Sequence, residues 1–259
     1  MGDGRPARVR LSAEAVAYAY EGRTRTQALD GVTLDVRDNE FLAIVGPVGC
    51  GKTTFIRLVA GFLTPTRGTV RADGAPIGAP SPERGYVFQE DAIFPWMTVS
   101  DNLEFGLRAQ GMDAAARSAI TGELIRLIGL EGYEAAYPGE LSSGMSKMVE
   151  VARVLATDPA ILLLDEPFAS LDAQTRARMQ DELSSLWEKR KKTVLLVTHD
   201  VEEAIHLADR IVVFSPRPGR VQAEVSVDLP RPRSLEARLT PAFAELKRAV
   251  WAALGLRGR

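Results

Sequence analysis

The chain has 259 residues, 46% of them hydrophobic, with 32 basic and 34 acidic side chains and a formal net charge of −2. That apolar content suits one large α/β domain, or a core domain with an accessory lobe. The balance of charge excludes a whole-chain basic bias toward nucleic acid and a charged binding tail. The single cysteine, Cys50, cannot form an intrachain disulfide, and the opening MGDGRPARVR lacks the apolar stretch of a signal peptide, which fits a reducing cytoplasm. Apolar runs such as 161–164 and 194–197 stop far short of the ~18 residues that span a bilayer, so any membrane this protein serves is expected to be crossed by other chains.

In chain order, the first forty residues alternate short β-like runs with polar breaks: Arg8 to Leu11, Ala15 to Tyr20 and Val32 to Val36, ahead of a turn at Asp38-Asn39. They predict a small antiparallel lobe. From Phe41 the run FLAIV reads as a strand buried on both faces, followed by a glycine-rich loop and a helix over Lys52 to Ala60 closed by Gly61. Val99 to Ala156 has helical periodicity without a strand-like run and predicts a helical lobe, about 90–157, inserted in the core. Further buried-type runs, ILLLD (161–165), TVLLVT (193–198) and RIVVF (210–214), alternate with helices over Ala173 to Arg190 and Val201 to Ala208. A mostly parallel core sheet with flanking helices follows, the whole domain spanning 8–230. His206 is expected on the polar side of the second of these helices. PRPGR and LPRPR are proline-rich turns. In the tail, 231–259, Leu235, Leu239, Phe243, Leu246, Val250 and Leu254 make a three-and-four-spaced stripe, read as a packing helix; its mixed charges argue against a membrane-surface helix.

Gly46-Pro-Val-Gly-Cys-Gly-Lys52-Thr53 fits the G-x-x-x-x-G-K-[ST] loop, in its expected context after a strand and opening a helix. Gly46, Gly49 and Gly51 let backbone N–H groups turn inward around phosphate oxygens, and the helix start at Lys52, Thr53 and Thr54 adds partial positive charge. Lys52 reaches the β and γ phosphates, and the Thr53 hydroxyl ligates Mg²⁺. Cys50 serves as a small filler through its backbone N–H, since no histidine lies nearby in sequence to activate its thiol. ILLLDEP supplies the acids: Asp165, at a strand end, to hold Mg²⁺ through water, and Glu166 to polarise the water that attacks the γ-phosphate. Two acids directly after four apolar residues are costly to bury without a cation. The reading at this point is a P-loop nucleoside triphosphatase, a class that includes small-molecule kinases.

Leu141-Ser-Ser-Gly-Met145, with Asp165 24 positions later, resembles the LSGGQ signature of ATP-binding cassette proteins. In the same order, YVFQED with Gln89 resembles that family's glutamine loop, Ser170-Leu-Asp172 its loop after the acidic strand, and VTHD with His199 its switch histidine, so the resemblance covers about residues 16 to 215. It implies an α/β nucleotide-binding domain that hydrolyses ATP with Mg²⁺, Gln89 serving at the metal and, with Glu166 and His199, in catalysis. Asp172 would lie at the nucleotide, and adenine would stack on Tyr20, with Tyr18 as competitor. It also implies a head-to-tail homodimer in which Ser142, Ser143 and Gly144 of one subunit face the γ-phosphate held by the other. Two residues depart from the pattern. Ser143 replaces the usual first glycine, adding a Cβ where backbone should pass close to phosphate, and Met145 stands for glutamine, as it does in importer relatives.

GFLTPTRG, FQEDAIFPWMTVSDNLEFGL, DEPFASLDAQTR and SPRPGR look like the ATPase subunits of bacterial importers for nitrate, sulfonates, taurine, related small anions or thiamine-precursor pyrimidines. Phe94, Pro95, Trp96 and Met97 are too apolar for an ordinary loop and suggest a docking surface for a permease's coupling helix; the alternative is that Trp96 packs inward on the helical lobe. The expectation is a peripheral ATPase on the cytoplasmic face of the inner membrane, bound to integral membrane permease subunits and served by a solute-binding protein, with no nucleic acid partner. A soluble cassette ATPase is the alternative, although that class usually carries two cassettes or a coiled-coil insertion. LSSGM and VTHD argue against a small-molecule kinase.

Overall fold

The structure, a computed structural model, describes residues 8–22, 25–90 and 92–255. Residues 1–7, read above for a signal peptide, Asp91 of the glutamine segment, residues 256–259 of the tail and the Leu235 side chain of the apolar stripe lie outside the described set. In chain order the elements are β1 (Val9–Tyr20), β2 (Thr26–Arg37), β3 (Phe41–Val45), α1 (Lys52–Ala60), β4 (Arg67–Ala72), β5 (Ala75–Pro76) and β6 (Arg84–Val87). Then come α2 (Val99–Ala109), α3 (Ala114–Leu127), α4 (Ser143–Ala156), β7 (Ile161–Asp165) and α5 (Ala173–Arg190). The chain closes with β8 (Thr193–Thr198), α6 (Val201–Leu207), β9 (Arg210–Phe214), β10 (Val221–Ser226) and α7 (Pro241–Ala253). Two compact units result, one from residues before 82 and after 190, the other from Pro82–Arg190.

In the first unit β1 pairs antiparallel with β2 and β4, and β4 with β5. The two apolar runs at 8–11 and 15–20 are parts of one 12-residue strand. A bulge between Ala13 and Val16, with Ala15 at φ 48°, inserts one extra residue without ending the pairing. The alternation slips there, so the sequence reads as two strands. β3 is buried along its length between β8 and β9, parallel to both, and β10 adds antiparallel to β9. A strand covered on both faces keeps no polar side, hence the continuous apolar runs. β10 alternates half-buried and exposed residues, and its VQAEVS carries no comparable signal.

His206 corrects one expectation, because it is fully buried and not on a polar face of α6. Arg233 donates to the carbonyls of Ile205, His206 and Ala208, and Arg231 to that of Leu207, capping the end of α6 with guanidinium groups. Burial pushes the imidazole down from 6.5 to about 4, helped by the positive charge of Arg238, Arg233 and Arg231. Above pH 6.5 His206 is neutral in both folded and unfolded chains and its ionisation costs nothing. As pH falls from 6.5 to about 4, the unfolded chain binds the proton first. Stability is therefore lost across that window, about 3 kcal/mol in total. Denaturant unfolding of His206→Leu across this range should lack that slope; parallel slopes in variant and parent would assign it to other groups.

The tail also departs from its pattern. Leu239 is 86% exposed, ending a 3-10 turn, while Phe243 and Val250 of α7 are buried. Thr240 caps a new helix whose first residue is Pro241, so the stripe starts only at Phe243. Lys247 pairs with Glu202 and ties α7 to α6.

In the second unit β6 and β7 form a parallel pair, and α4 packs against α2, α3, α5 and β6. The predicted helical stretch from Val99 to Ala156 is occupied by α2, α3 and α4. Among the described residues no helix is long and apolar enough to cross a membrane.

Candidate active site

In the first unit, β3 ends at Val45 and the chain turns through 46–51 into α1. The turn is built on close approach. A Cβ at Gly46 would lie 2.8 Å from the Cys50 sulfur, and one at Gly51, where φ is 106°, 2.7 Å from the Ala28 carbonyl oxygen. Gly49, at φ 77°, has open space around it and is held to glycine by conformation alone. Cys50 is buried inside the loop, which fits the filler role. Lys52 is 4% exposed, and its Nζ donates to the carbonyls of Gly46 at 2.9 Å and Pro47 at 3.3 Å, so the ammonium lies within the loop. Thr53 is half-buried.

Two more expected residues of the first unit converge here. The Tyr20 hydroxyl lies 3.1 Å from that of Thr54 in the first turn of α1, while Tyr18 packs edge-on against the Tyr20 ring. The Tyr20 hydroxyl thus lies at the first turn of α1. In the β3–β8 register Val45 pairs with Thr198, so Gly46 and His199 leave adjacent parallel strands side by side, at the carboxyl ends where α/β sheets bind ligands. His199 is exposed and flanked by the Thr198 hydroxyl, which accepts from Asp200 N, and by Asp200, which caps α6.

The segment between β9 and β10 adds a residue that sequence reasoning passed over. Gly219 exchanges backbone hydrogen bonds with Ala28 and Asp30, and a Cβ there would come 2.2 Å from the Cys50 carbonyl oxygen. The SPRPGR stretch therefore supports the phosphate loop from behind. Gly219→Ala should displace the loop and lower ATP turnover on the order of 10²-fold, the usual cost of about 1 Å of misplacement. Unaltered turnover would mean that the contact relaxes away from the site.

In the second unit Asp165 ends β7 at 2% exposure and accepts a 2.7 Å hydrogen bond from the Tyr86 hydroxyl. Tyr86 was hidden because RGYV is too short and mixed to read as a strand. Val87 pairs with Leu164, so Gln89 and Glu166 each follow two residues after a paired position. Gln89 is exposed and Glu166 half-buried. Glu166 sits at φ 45°, a left-handed conformation that costs on the order of 1 kcal/mol and recurs at functional turns. Thr53, Gln89 and Asp165 offer hydroxyl, amide and carboxylate oxygens, the donor types that Mg²⁺ takes. Among the described residues no cluster of three or more His, Cys, Asp and Glu side chains could hold a metal.

The signature is a helix start. Ser142 is the N-cap of α4 and its Oγ accepts from Met145 N at 3.3 Å. Ser143 is exposed in the first turn. Gly144 is buried, and a Cβ there would lie 2.7 Å from the Thr175 methyl of α5, so this glycine serves helix packing. Asp172 accepts from Gln174 N and Thr175 N at the start of α5; hydrogen bonds from Thr175, then Gln174, hold its carboxyl below the usual range. Gly144 and Asp172 thus meet at Thr175. Trp96 is 69% exposed, which overturns its inward-packing alternative. The inward residue is Phe94, whose ring lies 4.7 Å from that of Phe105 and 4.8 Å from the Arg153 guanidinium.

The family model described as ABC transporter matches residues 29–169. An ABC transporter ATP-binding protein of Methanocaldococcus jannaschii is 47% identical, over 94% of this chain and 90% of its own. A taurine import ATP-binding protein of Rhizobium johnstonii is 44% identical over 91% of this chain and 92% of its own. An aliphatic sulfonates import ATP-binding protein of Bacillus licheniformis is 43% identical over 89% and 88%. Among solved structures, a dimeric post-hydrolysis state of an ATP-binding cassette bound to ADP and Pi matches with a TM-score of 0.73 at 29% identity, covering 85% of this chain and 99% of the other.

Proposed function

The chain belongs to the ABC transporter family, and from that membership we propose that its ATP hydrolysis drives a membrane permease through alternating access, for uptake of a small solute, nitrate-, sulfonate- or taurine-like. It is an ATPase and an importer's ATP-binding subunit. Relatives named for import match about nine-tenths of the chain, which sets the soluble alternative aside. The observation that carries the mechanism is the loop geometry: a buried Lys52 ammonium inside a glycine turn, at the carboxyl end of β3 and beside His199.

In this reading Lys52 exchanges the Gly46 and Pro47 carbonyls for β and γ phosphate oxygens, and the first N–H groups of α1 add to the hold. Tyr20 stacks on adenine. By the family resemblance, Thr53, Gln89 and Asp165 would be the residues to hold Mg²⁺, which would neutralise phosphate charge. Glu166 takes a proton from water as the water oxygen attacks the γ-phosphorus; the bond to the bridging oxygen breaks, releasing ADP and phosphate. His199 contacts the γ-phosphate from the end of β8. Asp172 fixes the start of α5 against the signature.

The signature acts in trans, on nucleotide held by a second copy paired head to tail. Ser142 Oγ accepts from Met145 N and keeps its own proton to donate. Ser143 and Gly144 offer backbone N–H groups at the start of α4. The exposed Trp96 and its neighbours Pro95 and Met97 form the permease docking surface. The solute arrives on a solute-binding protein, and the ATPase sits peripherally on the cytoplasmic face of the membrane. Coexpression with its permease tests the whole: the two should copurify, and vesicles holding both, supplied with the solute-binding protein, should take up labelled taurine or alkanesulfonate only with ATP. ATP hydrolysis without any permease association would sink the transport reading.

A further inference from the structure

We propose that a buried ion pair on α4, Lys147 with Glu150, positions Gln89 by gripping the main chain of Phe88. The inference rests on the reading that Gln89 acts at the nucleotide. The two side chains are 0% and 1% exposed and meet at 2.8 Å. Lys147 Nζ also donates to the Phe88 carbonyl at 3.2 Å, and Phe88 N donates to Glu150 Oε1 at 3.0 Å. The cation thus faces the C=O and the anion faces the N–H of one residue, the first beyond the end of β6 and the one before Gln89.

A buried ion pair is a poor way to fill a core, since well-packed apolar residues of similar volume are often as stable or more so. What the pair supplies is polarity matched to a peptide group. The far end of the glutamine segment is held in a similar way. Asn102, fully buried on α2, accepts from Phe94 N at 2.8 Å and donates to the Phe94 carbonyl at 3.1 Å. Arg153, one turn beyond Glu150 on α4, covers the Phe94 ring. Phe88 and Phe94, on either side of the glutamine segment, are thus each held by side chains, with α4 contributing at both. The same helix begins at Ser142 and Ser143 of the signature. Lys147 and Glu150 are positioning residues, and they act through Phe88.

Two double variants of the full chain test this. Lys147→Met with Glu150→Leu removes both grips and keeps an apolar core. Lys147→Glu with Glu150→Lys keeps an ion pair but turns the wrong charge toward each group of Phe88. Both should leave ATP affinity unchanged, speed hydrogen exchange in 88–94 without affecting 143–156, and lower kcat by about 10- to 100-fold, as loss of groups that orient a ligand residue does. In a Gln89→Ala background the same changes should cost no further activity. Parental kcat and parental exchange at 88–94 in the swapped variant would overturn the proposal, as would a kcat loss that adds in full to that of Gln89→Ala. If the swapped chain does not fold, the apolar variant decides by the same readouts. A parent that hydrolyses no ATP would refute the nucleotide reading of Gln89, whereas unaltered exchange at 88–94 would refute the grip.

Discussion

Glu166→Gln should bind ATP as the parent does and turn it over more than ~10²-fold more slowly, the size of a general-base effect. The amide keeps the shape of the side chain but cannot take the proton of the attacking water. Backbone strain does not confuse the comparison: Glu166 holds φ 45°, and glutamine pays the same cost there as glutamate. Steady-state rates equal to the parent's would remove Glu166 from the mechanism. The same variant should trap an ATP-bound dimer on size exclusion, because binding proceeds and release of phosphate does not. Strictly monomeric elution at saturating ATP would count against a signature acting in trans.

Lys52→Ala should lose nucleotide binding itself. Lys52 is 4% exposed and its ammonium is held by the Gly46 and Pro47 carbonyls, so it is already placed where phosphate oxygens would replace them. Hydrogen bonds to charged groups are worth roughly 1.5–3 kcal/mol each, and losing those to two phosphates should weaken ATP binding by about 10²-fold or more. Titration calorimetry gives the answer directly. Unchanged affinity would overturn the phosphate-loop assignment, while the Glu166 prediction could still be judged on its own rates.

Much of this was legible in the sequence because it depends on near neighbours. The glycine spacing of 46–51 dictates a loop that only small residues can close, and FLAIV, ILLLD, TVLLVT and RIVVF name strands covered on both faces. Gly61 ends α1 in the left-handed conformation, where the sequence placed it. The order of the site residues along the chain was readable in the same way.

Tertiary structure alone decided what distant segments do to one another. The bulge at Ala15 hides one strand as two, since pairing with β2 and β4 continues across a break in the local pattern. His206 has a polar side chain on a short helix, and it is buried where α6 packs against β3, β8 and α7 and where Arg231 and Arg233 cap the helix end. Leu239 fits a helical stripe by spacing, yet Pro241 restarts the helix and leaves it in water. Tyr86 reaches Asp165 across 79 residues of sequence, and Lys147 reaches Phe88 across 59. Periodicity records which face of a segment is apolar; which polar groups are then enclosed together depends on partners the local sequence does not contain.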